Sequence, residues 1–305
     1  MIRVGFIGRT KSLFDTIRLF AHSEEFEVSF IWTCKGEDYY EFDSKNFELL
    51  ANELGTKYFC SPFISQFESV VEADVVVSIN FKNIIPKSFI NKFEFGVINA
   101  HAGDLPRYRG NACPNWAILN NESHVVLTFH QMDEGLDSGH IIRKEKFPLA
   151  DNTYIEEVYG WLNKAIPSGF VDALNMLIQG HPPKKQIGRP LRCFPRKPED
   201  AKINFNKALQ WNYRLIRASS RPFSGAFAFL NNTDTKVTVF RAEPFELKYD
   251  ILAVNGQIIE KFDRDKSFLI AIGNQALRVI DYTVNGQTLE ESFNVICKSM
   301  RNRLT

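Results

Sequence analysis

Short apolar runs alternate with helix-period stretches through the first third of the chain. Residues 2–7 (IRVGFI) read as a buried strand, and residues 11–22 as a helix with Leu13, Ile17 and Phe20 on one face. A second strand is predicted at 26–32, part of a second helix at 47–54, a strongly buried strand at 74–79 (DVVVSI) and another at 95–99. Such alternation predicts an α/β fold, a mostly parallel sheet with helices on both faces. Ligands of sheets like this bind beyond the carboxyl ends of the strands.

From residue 124 the pattern changes. Residues 124–132 alternate as a longer strand, and 140–147 look like its neighbour. Asn152 is placed to cap a helix over 154–179, where Ile155, Val158, Leu162, Ile166, Phe170, Leu174 and Leu177 recur at helical spacing. Pro167 falls inside that helix and is expected to kink it, and Gly180 ends it. Residues 181–200 (HPPKKQIGRPLRCFPRKPED) are rich in proline and basic side chains and are expected to form a linker. Beyond them come a helix at 207–219, strands at 236–241, 251–259, 268–272 and 277–284, and a closing helix at 289–301. The expected organisation is therefore a sheet domain over 1–180, a linker over 181–200 and a smaller β-rich, barrel-like domain over 201–305.

A length of 305 residues suits two domains, and 44% apolar with 24% charged residues suits a full core. The formal net charge of +1 gives no overall field toward nucleic acid or a membrane surface. The start, MIRVGFIG, lacks a secretory signal pattern, and no window approaches the roughly 20 apolar residues of a membrane span. A cytoplasmic protein is expected. Cys34, Cys60, Cys113, Cys193 and Cys297 are widely spaced without Cys-x-x-Cys, which speaks against a disulfide framework or a zinc site. They read as reduced, buried filler, and no metal is expected. Gly5 and Gly8 are too few for the Gly-x-Gly-x-x-Gly turn of a nicotinamide dehydrogenase.

The informative residues cluster between Val97 and Gly139. Asn99 and His101 share a face at the end of a predicted strand, because side chains alternate. A histidine there can exchange protons near neutral pH, and an asparagine beside it offers an amide donor to a developing oxyanion. MDEGLDSG, after the next strand, is a glycine-punctuated loop able to bring Asp137 back to orient the imidazole. No serine or cysteine stands as an obvious nucleophile, so the set suits direct attack by a substrate amine on a carbonyl. Taken alone, the same residues also fit a hydrogen-bonded edge pair and an acidic turn.

The ordered series Asn-x-His, LPRYRG (105–110), Pro114 with WAI (116–118) and QMDEGLDSG (131–139) resembles the folate-dependent formyltransferases. The resemblance implies a Rossmann-like domain joined to a β-rich C-terminal domain, with Asn99, His101 and Asp137 catalytic. It implies 10-formyltetrahydrofolate as donor, its pterin held between NFKNIIP (80–86) and the 133–137 loop by Asn80, Phe81, Ile85, Pro86, Asp133 and Gly135. Gly103-Asp104 departs from the Ser-Leu common in relatives, which bears on local loop contacts only.

Residues 194–205 and 213–227 look most like formyltransferases acting on nucleotide-linked amino sugars, such as dTDP- or UDP-sugars of lipopolysaccharide O-antigen synthesis. Methionyl-tRNA formyltransferase is the alternative. Those tRNA enzymes carry a basic, glycine-rich insertion after the second strand, where CKGEDYYEFDSKN (34–46) is acidic and aromatic. A diphosphate sugar needs a cation and an aromatic face. Lys82, Arg109, Arg196 and Arg217 are candidate cations, and Tyr108, Tyr213 and Phe223 candidate platforms; each taken singly also fits a surface charge or a core ring. The expected partner is a small nucleotide sugar rather than a nucleic acid or a membrane, and a homodimer is among the assemblies this allows.

Overall fold

The computed structural model of the chain describes residues 1–36, 42–66 and 68–305. Most of the acidic stretch after the second strand, residues 37–41, lies outside them. Two compact units emerge, one gathered from 1–113, 125–147 and 159–193, the other from 114–124, 148–158 and 194–305.

The chain begins β1 (Ile2–Gly8), α1 (Lys11–Ala21), β2 (Phe26–Thr33), α2 (Ser44–Leu54), β3 (Lys57–Cys60), β4 (Val75–Ile79), α3 (Lys87–Ile90) and β5 (Val97–His101). Next come β6 (Arg109–Gly110), α4 (Cys113–Leu119), β7 (His124–Gln131), β8 (Ile141–Pro148), α5 (Ile155–Ile178) and β9 (Arg192–Cys193). The seven-stranded sheet runs β3-β2-β1-β4-β5-β7-β8. Its β3, β2, β1, β4 and β5 are parallel, while β7 turns antiparallel to β5. Parallel strands are covered on both faces, and Val75–Ile79 is accordingly buried at every position. Ile7, Trp32, Val76, Phe89 and Val97 form one apolar cluster of this unit. Asp43 caps α2 by accepting from the Lys45 and Asn46 amides, and left-handed Gly55 ends it.

The strand expected at 95–99 is displaced to Val97–His101, because Gly96 at φ +72 makes the turn that precedes it. This shift puts His101 inside the strand. At the start of α5 the Tyr154 amide donates to the Glu157 carboxylate at 2.8 Å. At its end Gly180 donates to Leu177 and His181 to Met176, the paired bonds of a left-handed helix stop. Residues after it are stitched onto the first unit: Lys184 and Ile141 exchange backbone bonds of 2.7 and 2.8 Å, and β9 pairs with β6.

The second unit adds α6 (Leu209–Ser219), β10 (Ala226–Phe229), β11 (Lys236–Phe245), β12 (Ile258–Phe262), β13 (Ser267–Ile272), β14 (Gln275–Val284) and α7 (Leu289–Ile296). Its antiparallel sheet runs β10-β11-β14-β13-β12. Both edge strands reach the same closing segment. Phe229 and Thr305 exchange two 2.8 Å bonds beside β10, while Leu304 donates to Gly256 and Ile258 to Asn302 beside β12. The sheet is thereby closed, which removes the exposed edges an open sheet would leave. Ile216, Val237, Phe268, Tyr282 and Leu304 lie in its core.

Two expected elements are corrected here. The strand predicted at 251–259 begins only at Ile258, because the Asn255-Gly256 pair inside that run makes a turn with Gly256 at φ +81. Leu252 and Val254 are left exposed before it. The closing helix stops at Ile296 rather than running to 301, and the Asn302 amide donates to the freed carbonyls of Val295 and Ile296.

Candidate active site

β5 ends at the carboxyl edge of the first sheet, and its register against β7 sets Asn99 opposite His130 and His101 opposite Thr128. Thr128 Oγ1 donates to the Gly103 carbonyl at 2.7 Å, pinning the loop that leaves β5. That loop curls under His101. His101 Nε2 lies 2.6 Å from the Tyr108 carbonyl oxygen, so Nε2 carries a proton and donates it there. Gly103 lets the loop pass, since a Cβ would strike the Tyr108 carbonyl and the His101 ring. The protonated Nε2 leaves Nδ1 on the side of Asp137, whose Oδ2 stands 3.6 Å away.

Asp137 is held from several directions. It adopts φ +48 in the 132–140 loop, and its Oδ2 accepts the Gly110 amide at 2.8 Å. Gln186, from the segment after α5, donates to the carbonyls of Asp137 and Gly139, both at 2.8 Å. Arg109 in turn donates to Gln186 Oε1 at 2.6 and 3.2 Å. Asp133 Oδ1 accepts from the Gly135 amide and the Ser138 hydroxyl, which fixes the near side of the loop.

His130 sits between Asn99 and Asp137. Its Nδ1 is 2.9 Å from the Gln131 carbonyl, which makes Nδ1 the donor and Nε2 the acceptor of the Asn99 amide at 3.3 Å. Burial first, and then the neighbouring His101, push its pKa down to about 4. A neutral His130 therefore fixes one Asn99 amide hydrogen, and the other has no partner among the described residues. Asn99, His101 and Asp137 are thus gathered around one buried imidazole.

Among the residues expected at the cofactor, Asn80 follows β4 at φ +52, and its carbonyl accepts from Arg9 Nε at 2.9 Å. Phe81 is half-buried and packs on the apolar cluster, Ile85 is a member of that cluster, and Pro86 is exposed ahead of α3. Among those expected at the acceptor, the first unit holds exposed Lys82, Arg109, and Tyr108, which is buried and turns its carbonyl to His101. The second unit holds the other four. Arg217 is buried, donates to the Ala150 and Thr153 carbonyls and lies 4.8 Å from the Tyr213 ring, also buried. Arg196 lies 5.8 Å from the Trp116 ring, and Phe223 is half-buried after Pro222. Nε of Arg196 and of Arg217 finds no hydrogen-bond partner among the described residues.

His130, Thr128 and Gln186 escaped the sequence reading. Thr128 and His130 share one face of the alternating strand 124–132, and that was the available signal. Gln186 carried none, lying 49 residues from the loop it holds.

Residues 60–174 match the formyl transferase family, and residues 196–293 match the formyl transferase C-terminal domain. A methionyl-tRNA formyltransferase of Geotalea uraniireducens is 32% identical over 166 residues, 54% of this chain and 53% of that one. The chain thus spans about half the length of the curated relatives it matches. An N-formyltransferase of Helicobacter canadensis, solved with folinic acid and dTDP-3-aminofucose, aligns at TM-score 0.65 and 18% identity, over 92% of this chain and 99% of that one. HypX of Aquifex aeolicus, solved with tetrahydrofolic acid, aligns at TM-score 0.63 and 17% identity, over 93% of this chain and 44% of that one. The last two likenesses concern the fold.

Proposed function

Because the chain belongs to the formyl transferase family, we propose that it moves a formyl group from 10-formyltetrahydrofolate onto the amine of a nucleotide-linked amino sugar. The observation that carries this reading is the grouping of Asn99, His101 and Asp137 at a strand's carboxyl end, with a free amide hydrogen, an open imidazole nitrogen and a carboxylate converging. The surroundings fit a reduced folate. Phe59, Phe81 and Met132 are half-buried against a cluster that includes Trp32, Ile85 and Phe89, an apolar lining of the kind a pterin ring needs. When bound, the folate supplies the formyl carbon.

The chain's own groups then act on the developing charge. Asn99 donates its free amide hydrogen to the formyl oxygen as the amine adds. His101 handles the proton at Nδ1, its Nε2 being committed to Tyr108, and the Asp137 carboxylate stands 3.6 Å from that nitrogen. His130, kept neutral, holds Asn99 in place.

Support for the sugar acceptor comes from the match along nearly the whole of the Helicobacter canadensis enzyme, solved with a dTDP-amino sugar. A methionyl-tRNA acceptor is the second reading, favoured by the higher identity to enzymes of that name. Incubation with 10-formyltetrahydrofolate and either dTDP- or UDP-amino sugars or methionyl-tRNA decides between them by product mass. An N-formyl sugar nucleotide is expected, and formylation of methionyl-tRNA alone would reverse the assignment.

A further inference from the structure

Gln186 and Ile187 have exchanged the places that burial alone would give them. In the run after α5, polar Gln186 is half-buried while apolar Ile187 is 87% exposed. The hydrophobic effect would turn that pair round, so hydrogen bonding sets its orientation. Gln186 Nε2 donates to the Asp137 and Gly139 carbonyls, both at 2.8 Å. Its Oε1 accepts from Arg109 Nε at 3.2 Å and Nη2 at 2.6 Å. A carboxamide has two donor hydrogens and two acceptor lone pairs, and all four are in use. Backbone bonds present both partners. Lys184 and Ile141 exchange bonds on one side of Gln186, and on the other the Arg109 amide donates to Leu191 at 2.9 Å. All of these residues belong to the first unit.

We propose that Arg109 and Gln186 are one positioning unit for Asp137, a role that rests on the transfer chemistry assigned to Asp137 above. Arg109 orients the carboxamide, and the carboxamide fixes the backbone on both sides of Ser138. The residue so held needs holding. Asp137 adopts φ +48, in the left-handed region that side chains enter sparingly and keep where their surroundings fix them. With its carbonyl tied to Gln186, its carboxylate accepts the Gly110 amide at 2.8 Å. The same carboxylate stands 3.6 Å from His101 Nδ1 and 3.8 Å from His130 Nε2. A small rotation of the loop would carry it away from both rings. Nε and Nη2 of Arg109 are committed to Oε1, in the rigid fork a guanidinium offers. Arg109 therefore acts on the transfer through Asp137 and not through the diphosphate of the acceptor.

The test uses the full chain carrying Arg109→Met, Gln186→Met or both. With the acceptor that product mass identifies, either single variant should lose about ten- to a hundredfold in kcat, while the acceptor KM stays within about twofold. Residues that act as a unit are not additive, so the double variant should be no slower than the worse single one. Amide exchange of the folded protein, followed by NMR, reads the same placement without substrate. The Gly110 amide should exchange faster in both single variants, approaching Asp137→Ala, while the Ile141 amide bonded to Lys184 stays protected. Gln186→Glu keeps an acceptor for Arg109 but loses both donated bonds, and should free Gly110 in the same way. A raised acceptor KM in Arg109→Met alone would return Arg109 to the diphosphate and overturn the unit, and so would additive losses. Gly110 and Ile141 exchanging together would make Gln186 a staple of the chain, and an unmoved Gly110 would end its link to Asp137. A chain that formylates no acceptor, yet frees Gly110 in Gln186→Met, keeps the unit and loses the transfer reading.

Discussion

His130 carries a pH signature that can be read without any substrate. Its imidazole is pushed down to about 4 by burial and by His101, from an ordinary value of about 6.5. Between those values the unfolded chain binds a proton that the fold refuses. Stability from this group is therefore complete above about pH 6.5 and is lost as pH falls toward about 4, a loss of about 3 kcal/mol. His130→Gln should flatten the fall in urea midpoint between pH 7 and 4.5, and an unchanged slope would assign that fall to other groups. His101 is tested by rate. On the proposed role of Nδ1 in handling the proton, His101→Ala should lose about a hundred- to ten-thousand-fold in turnover while still binding a reduced folate. Asp137→Asn should lower the maximal rate and move the pH profile with little change in folate affinity. An unmoved profile with weaker folate binding would make Asp137 a support of its loop. That Asn99 and His101 share a strand end and that the glycine loop brings Asp137 beside them was legible, because alternation and a glycine loop are local signals. His130 was not, because its role depends on antiparallel pairing with a residue 31 positions away.

The second unit's sheet is closed by the segment around residues 302–305. Leu304 is fully buried, and its amide bonds to Gly256 while its neighbour Thr305 bonds to Phe229. Leu304→Ala should cost about 2–5 kcal/mol by removing buried methyl groups and leaving a cavity, measurable as a lower denaturant midpoint. Loss of the closing segment exposes two strand edges, so a chain truncated after 301 should also aggregate. A truncated chain that stays monomeric with an unchanged midpoint would show that the strands hold themselves. The elements were largely readable in advance: buried parallel strands such as Val75–Ile79 announce themselves by composition alone. The segment that closes the expected barrel was not readable, because Arg303 and Leu304 form isolated bridges with no periodicity of their own. The run at 251–259 misled because its apolar residues look strand-like while Asn255-Gly256 turns the chain. Pairs such as β6 with β9 are two residues long and are held by register rather than pattern.

Charge distribution separates the two acceptor classes for the chain as a whole. The formal net charge of +1 offers no general attraction to a polyanion, and the stretch after β2 reads EDYYEFD, which is acidic. Binding a large nucleic acid means neutralising several phosphates and releasing their counterions, so affinity falls with salt by a logarithmic slope of roughly 0.9 per phosphate contact on duplex DNA. A nucleoside diphosphate presents few charges, and cations partly enclosed by protein are screened less than exposed ones. Arg196 and Arg217, each with an Nε unsatisfied among the described residues, belong to that partly enclosed kind. The protein should therefore bind thymidine or uridine diphosphate with a shallow salt dependence, and bulk tRNA only weakly and at low salt. Titration of both ligands between low and physiological ionic strength, followed by calorimetry or fluorescence, measures the two slopes directly. Tight binding of initiator methionyl-tRNA at physiological salt, with no detectable nucleotide binding, would move the assignment to the tRNA enzyme.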